Sequence, residues 1–254
     1  MTTVEHKRGN VLVRAALALF LFKIFVLALS LATRSLLPEY FNENAYYGNF
    51  HWPRQQAPTQ ATRLATWDAQ HYLFLATEGY HAGQRSITFF PLFPWLIRLT
   101  AALPGIGPLG AALLIANALS VAAVLLLHQL IEHRHPGTAA DSLLLLLAFP
   151  GALFFHFPYT ESLFLFLAVA VAWAVARERW LLAAVPAFLI PLTRPNGVLI
   201  GLLLLYAAVA HWRRERRISL GPMIALAAPA LGFGAYLLFM LAATGNALAG
   251  LDMQ

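Results

Sequence analysis

The 254-residue chain contains no cysteine. Disulfides, thiolate catalysis and cysteine-ligated zinc are therefore excluded. Charge is also scarce: only 11% of residues are Asp, Glu, Lys or Arg, against roughly 25% in soluble domains. Their place is taken by apolar residues, which make up 60% of the chain and gather in long Leu- and Ala-rich runs. A chain built this way is an integral membrane protein. Its length accommodates one membrane domain with one sizeable loop, and no soluble domain fits beside it. The net charge of +6 does not point to nucleic acid, because the basic residues flank apolar runs, which is a topological pattern. The basic N-terminus, MTTVEHKRGN, leads into an apolar run with no small-x-small cleavage site after it, so the first run reads as an uncleaved span.

Hydropathy predicts seven spans, at about 11–33, 108–131, 139–157, 161–177, 180–194, 197–212 and 220–243. Residues 89–103 are apolar but interrupted by Pro91, Pro94 and Arg98. A span needs about 20 residues, so this piece reads as interfacial or re-entrant. Residues 1–254 thus form a single transmembrane domain, with 34–107 as its long first loop. With the N-terminus in the cytoplasm, Lys7, Arg8, Arg134, Arg177, Arg179 and the Arg213–Arg217 run share that side. The opposite loops at 157–161, 193–197 and 244–246 carry one basic residue, Arg194. That bias obeys the positive-inside rule. The polar segments richest in chemistry then share the non-cytoplasmic face.

The most informative segment is Thr66-Trp67-Asp68-Ala69-Gln70-His71-Tyr72-Leu73. In a helix, Asp68, His71 and Tyr72 lie on one face, and Trp67 suits the headgroup belt. Asp68 reads either as a general base for an acceptor hydroxyl or as a helix cap or solvated acid. With His71 it supplies two ligands, too few for a metal site; a divalent ion would need oxygen ligands from elsewhere, and no cofactor is expected. Glu78 reads as a second acid or a solvent-facing one. In Phe157-Pro158-Tyr159-Thr160-Glu161-Ser162, Glu161 is either functional or an acid favoured by a helix N-terminus, with Thr160 as the natural cap. In Thr193-Arg194-Pro195-Asn196-Gly197, the Arg194 guanidinium is fixed by Pro and Gly and suits a lipid phosphate, or it snorkels to headgroups. Arg85 and Arg98 are weaker candidates for the same task. The Arg213–Arg217 run reads as topology and anionic-lipid contact.

Trp67-Asp68-Ala69-Gln70-His71-Tyr72, followed by Glu78-Gly79-Tyr80, resembles the first-loop motif of the PIG-V-like mannosyltransferases. Thr88-Phe89-Phe90-Pro91-Leu92-Phe93-Pro94, Phe157-Pro158-Tyr159-Thr160-Glu161-Ser162-Leu163-Phe164 and Thr193-Arg194-Pro195-Asn196-Gly197 are similar to further segments of that family, in the same order. The resemblance implies an all-α, GT-C-type polytopic bundle that transfers a hexose, mannose by family, from a polyprenyl-phosphate donor to a glycan or glycolipid acceptor, with inversion, outside the cytoplasm. In a prokaryote that places it in the plasma (inner) membrane. Trp67 and Asp68 match the family's essential first-loop pair, and Pro158 and Glu161 its Pro-x-x-Glu element. Asp68 and Glu161 are then the candidate catalytic residues. Trp67, His71, Tyr72, Phe90, Pro91, Pro158, Tyr159, Arg194 and Asn196 are candidate substrate contacts. Family members continue past a segment like Thr244–Gln254 into further spans, so the resemblance also implies C-terminal truncation. The rival readings are a transporter of lipid-linked sugars and a non-catalytic membrane partner. Spans nearly free of ionisable groups at mid-depth, Lys23 excepted, count against an ion-coupled transporter.

Overall fold

The structure, a computed structural model, describes residues 17, 19–30, 32, 36, 42, 44, 50, 52 and 64–254. The basic N-terminus, the ends of the first expected span and most of the loop before residue 64 lie outside the described residues. Within them the chain is helical, with no strand. The α-helices are α1 (Leu19–Ser30), α2 (Asp68–Thr77), α3 (Leu92–Ala101), α4 (Pro108–Arg134), α5 (Ala139–Ala148), α6 (Glu161–Ala176), α7 (Trp180–Leu189), α8 (Ile200–Glu215), α9 (Leu220–Thr244) and α10 (Ala249–Asp252).

Three helical stretches are long and apolar enough to cross a membrane: Pro108–Arg134, Pro195–Glu215 and Leu220–Thr244. Each of the three is at least 21 residues, which at 1.5 Å per residue exceeds the roughly 30 Å of hydrocarbon. Pro108 opens α4 at a position where its missing N–H costs nothing. Gly245, at φ 78°, closes α9 in the left-handed conformation. The outward sides of the helices remain apolar: Tyr206 is 78% exposed, Leu145 74% and Leu238 69%. Such a surface is suited to lipid.

Two expected spans are interrupted. The 139–157 run stops as α-helix at Ala148 and resumes as a 3₁₀ turn over Pro150–Phe155. The residue before proline avoids helical geometry, and Phe149 is extended. Likewise α7 contains Pro186 and gives way to a 3₁₀ turn, Ile190–Leu192, that begins just before Pro191. Lys23 in α1 donates to Asn117 Oδ1 of α4 (2.9 Å) and to the Phe155 carbonyl (3.0 Å). It therefore ties α1 to α4 and satisfies a carbonyl at the end of the first of those interruptions. The piece at 89–103 contributes α3, ten residues and about 15 Å long, too short to span, as the sequence suggests.

The main packing contacts are α4 on α6, α6 on α7, α7 on α9 and α9 on α8. Glycine makes the α7–α9 crossing close. A Cβ on Gly232 would stand 2.0 Å from the Phe188 carbonyl oxygen. The connections gather at two ends. One end gathers α2, α3, the Tyr159–Glu161 turn, the Arg194 turn and the C-terminal α10, with Thr88 reaching Gly250 and Gln254 reaching Thr88. The other gathers the Arg177–Trp180 and Arg213–Ser219 connections, joined by an Arg214–Glu178 ion pair at 2.7 Å. The main core, around Tyr72, Phe93, Ile190, Tyr236 and Met240, underlies the first end.

Candidate functional site

The first end is built on α2. Trp67 takes φ 52°, ψ −127°, a conformation that costs a non-glycine residue on the order of 1–3 kcal/mol. The turn is held on both sides: the Tyr159 hydroxyl donates to the Thr66 carbonyl (2.9 Å), and Gln70 Nε2 donates to the Ala65 carbonyl. It leaves Trp67 61% exposed and starts the helix at Asp68.

Arg194 sits between two 3₁₀ turns, Ile190–Leu192 and Pro195–Leu199. Gly197 is required by close packing, because a Cβ there would lie 2.5 Å from the Ile190 carbonyl oxygen. The guanidinium reaches the first turn of α6. Its Nη2 donates to Glu161 Oε1 at 2.5 Å and its Nε to Thr160 Oγ1 at 2.7 Å. The pair is about one third exposed, with side chains at 35% and 27%. The Thr160 hydroxyl also meets the Tyr72 hydroxyl at 3.3 Å. Thr160 is fully buried and makes no capping hydrogen bond. The expected cap is thus corrected: the backbone at Thr160 is helical (φ −80°, ψ −7°), and the hydroxyl serves as a junction between α2 and the Arg194 turn. Its spacing before an acid looks like a cap in sequence, so that role carried no signal of its own.

Asp68 belongs to the same electrostatic neighbourhood. Crowding by protein raises the pKa of its carboxyl, the Glu161 charge raises it further and Arg194 lowers it. Asp68 is exposed, and among the described residues its carboxylate accepts no hydrogen bond. The burial of Tyr72 raises the pKa of its phenol, and the charges of Arg194, Asp68 and Glu161 all act on it. Burial likewise raises Tyr159, to about 12. Glu161 Oε2 is buried and without a hydrogen-bond partner, an acceptor that calls for a donor. Asp68, Tyr72, Thr160, Glu161 and Arg194 therefore form one cluster drawn from three separated motifs.

The remaining candidates distribute around it. His71 is stacked between Phe50 and Phe89, with ring centroids 3.9 and 4.6 Å away, and pairs with Ser86 Oγ at 2.9 Å. Burial lowers its pKa to about 4, so it is neutral at ordinary pH. Pro158 is buried beside Tyr159. Phe90 is 2% exposed and stacks on Tyr236 at 4.0 Å, and Pro91 is buried next to it. Phe90 and Tyr159 share one hydrophobic core with Tyr72. Asn196 is exposed on the Arg194 turn. Glu78 is exposed at the far end of α2, ten residues from Asp68 and about 15 Å along the helix; the acid near Asp68 is Glu161. Arg98 donates to the carbonyls of Ala76 and Thr77 and thereby closes α2. Among the described residues no group of three or more His, Asp or Glu converges as a metal cage; the carboxylates that a cation would meet are Asp68 and Glu161.

Comparison with known proteins completes the picture. The family model described as mannosyltransferase (PIG-V) matches residues 10–212. GPI alpha-1,6-mannosyltransferase 2 of Mus musculus is 33% identical over 127 residues, covering 46% of this chain and 26% of the mouse protein. Its counterpart in Rattus norvegicus is 32% identical over 153 residues, covering 56% of this chain and 31% of the rat protein. The chain thus spans about a quarter to a third of the length of these curated relatives. No solved structure matches. The matched stretch carries α2, the Thr160–Glu161 junction and the Arg194 turn, and the chain belongs to the PIG-V mannosyltransferase family.

Proposed function

We propose that the chain is a GT-C-type glycosyltransferase, a single domain of about seven spans with the N-terminus in the cytoplasm and the Asp68 end outside it. The donor is a polyprenyl-phosphate-linked mannose and the acceptor a hydroxyl of a glycan or glycolipid. The observation that carries this reading is the convergence of Asp68 with the Arg194–Glu161 pair at one end of an apolar bundle.

Asp68 is the base. Its carboxylate takes the proton of the acceptor hydroxyl as that oxygen bonds to the anomeric carbon from the face opposite the lipid phosphate. The carbon–oxygen bond to the phosphate breaks, and the phosphate leaves with the bonding electrons. Configuration inverts, and no enzyme nucleophile is required. The raised pKa of Asp68 favours this role, because a general base works best when its pKa approaches the working pH. Arg194 stabilises the growing charge on the phosphate with donors left after Glu161 and Thr160 are satisfied. One such donor is worth roughly 3–4 kcal/mol in the transition state. The unpartnered Glu161 oxygen accepts a substrate hydroxyl. Trp67 and Asn196, both exposed, contact the sugar or acceptor.

Proteoliposomes holding the protein, an acceptor glycolipid and labelled polyprenyl-phosphate mannose test this reading. Transfer of label to the acceptor is expected. Movement of the donor between leaflets without transfer would instead identify a transporter, and neither outcome would leave a non-catalytic partner.

A further inference from the structure

At the end remote from Asp68, residues of α4, α6 and α8 line a cleft of about 480 Å³. Its walls are apolar, with Leu130, Val175, Leu203 and Tyr206 among them, and Arg134, Glu178, His211 and Arg214 stand at its rim. Leu203 and Tyr206 also belong to the exposed outer surface, so the cleft opens towards whatever surrounds the bundle. Its charges are not equivalent. Glu178 is held by Arg214 at 2.7 Å, and Arg214 also contacts Glu215 at 3.1 Å. His211 is occupied by Ser219 and Arg214. Arg134 has no acidic or hydrogen-bonding partner among the described residues, so the rim keeps a positive charge.

A second unpartnered donor belongs to a residue of the cleft wall. Trp180 lines the cleft and is 8% exposed, yet its indole Nε1 is buried without a hydrogen-bond partner. A buried N–H without an acceptor is costly, and an indole is a donor only. The cleft therefore presents a free guanidinium at the rim of an apolar trough, with the unpartnered Trp180 N–H buried in its wall. A soluble anion would leave the trough unfilled, whereas a neutral apolar chain would leave both donors unmet. A ligand with an anionic head and an apolar tail satisfies all three, and basic pockets between membrane helices recognise such headgroups.

We propose that this cleft binds one anionic glycerophospholipid, its phosphate on Arg134 and the Trp180 N–H and an acyl chain along the apolar walls. The site is independent of the transferase chemistry. It gives one cleft residue, Arg134, a task distinct from the general topological role of the neighbouring Arg213–Arg217 run.

Native mass spectrometry of the full chain in detergent, titrated separately with phosphatidylglycerol and phosphatidylcholine of matched acyl chains, tests it. Phosphatidylglycerol is expected to bind about tenfold more tightly. Arg134→Gln should abolish that preference, and Trp180→Phe should weaken it several-fold. Arg217→Gln, an equal loss of charge on the exposed connection, should leave it intact. Ala210→Trp, at an exposed wall position, should displace the lipid without disturbing the core. Equal binding of the two lipids, equal effects of Arg134→Gln and Arg217→Gln, or tighter binding of a polyprenyl monophosphate at the same residues would each overturn the assignment.

Discussion

Arginine meets glutamate at both ends of the bundle, and the two meetings are unlike. At the Asp68 end, Arg194 and Glu161 are about one third exposed, share Thr160 with Tyr72, and come from turns fixed by Pro195 and by a glycine that packs on a backbone carbonyl. At the other end, Arg214 and Glu178 are both more than half exposed and flank connections free to choose other partners. Exposed pairs contribute about 0–1 kcal/mol, because water screens them and long side chains lose entropy. A partly buried pair inside a hydrogen-bonded junction fixes geometry instead. The same two residue types thus serve position at one end and charge at the other.

Removing charge at each end should separate these roles. The largest effect is expected for Asp68→Asn, which should lower transfer about 10²–10⁴-fold, the range of general-base catalysis. The same change should raise thermal stability at neutral pH. The folded pKa of Asp68 lies above its unfolded value, so its contribution to stability is full below the ordinary carboxylate range and is lost as pH rises through the raised value. A calorimetric comparison of the wild type and Asp68→Asn at neutral and acidic pH checks the sign. The gain from the substitution should shrink as pH falls.

Arg194→Gln should lower transfer by about 10²–10³-fold and destabilise the fold by about 1–2 kcal/mol, the cost of leaving a half-buried carboxylate unpaired. Glu161→Gln should act through Asp68. Taking away the acid that raises the Asp68 pKa moves the acidic limb of the kcat/KM profile to lower pH, while Arg194→Gln moves it higher. Opposite displacements would show one coupled cluster, and displacements in the same direction would break it. Arg214→Gln is expected to change unfolding by no more than about 0.5 kcal/mol and transfer not at all. A larger loss there would erase the contrast between the two ends.

Much of this arrangement was legible in the sequence. Alternating apolar runs and basic loops already brought Asp68, Glu161, Arg194 and the C-terminal tail to one end, because an antiparallel bundle leaves each loop only two places to go. The 89–103 segment was readable as too short, since its prolines limit the helix that became α3. Three features were not. Thr160 precedes an acid at a helix start and looks like a cap, and only the helical backbone there frees its hydroxyl for Arg194. Phe90 stands in a motif beside a proline, and no local pattern says that it stacks on Tyr236, 146 residues away in sequence. The cleft lined by Trp180 draws its walls from α4, α6 and α8, which is a property of packing rather than of any segment.

The absence of cysteine offers the most direct test of the central claim, that the Asp68 end faces away from the cytoplasm. Single cysteines placed at Asn196 and Arg217, both exposed, can be probed in intact cells with a membrane-impermeant maleimide. Asn196→Cys should label in intact cells, and Arg217→Cys only after the membrane is opened. The reverse pattern would put Asp68 on the cytoplasmic side and contradict the account.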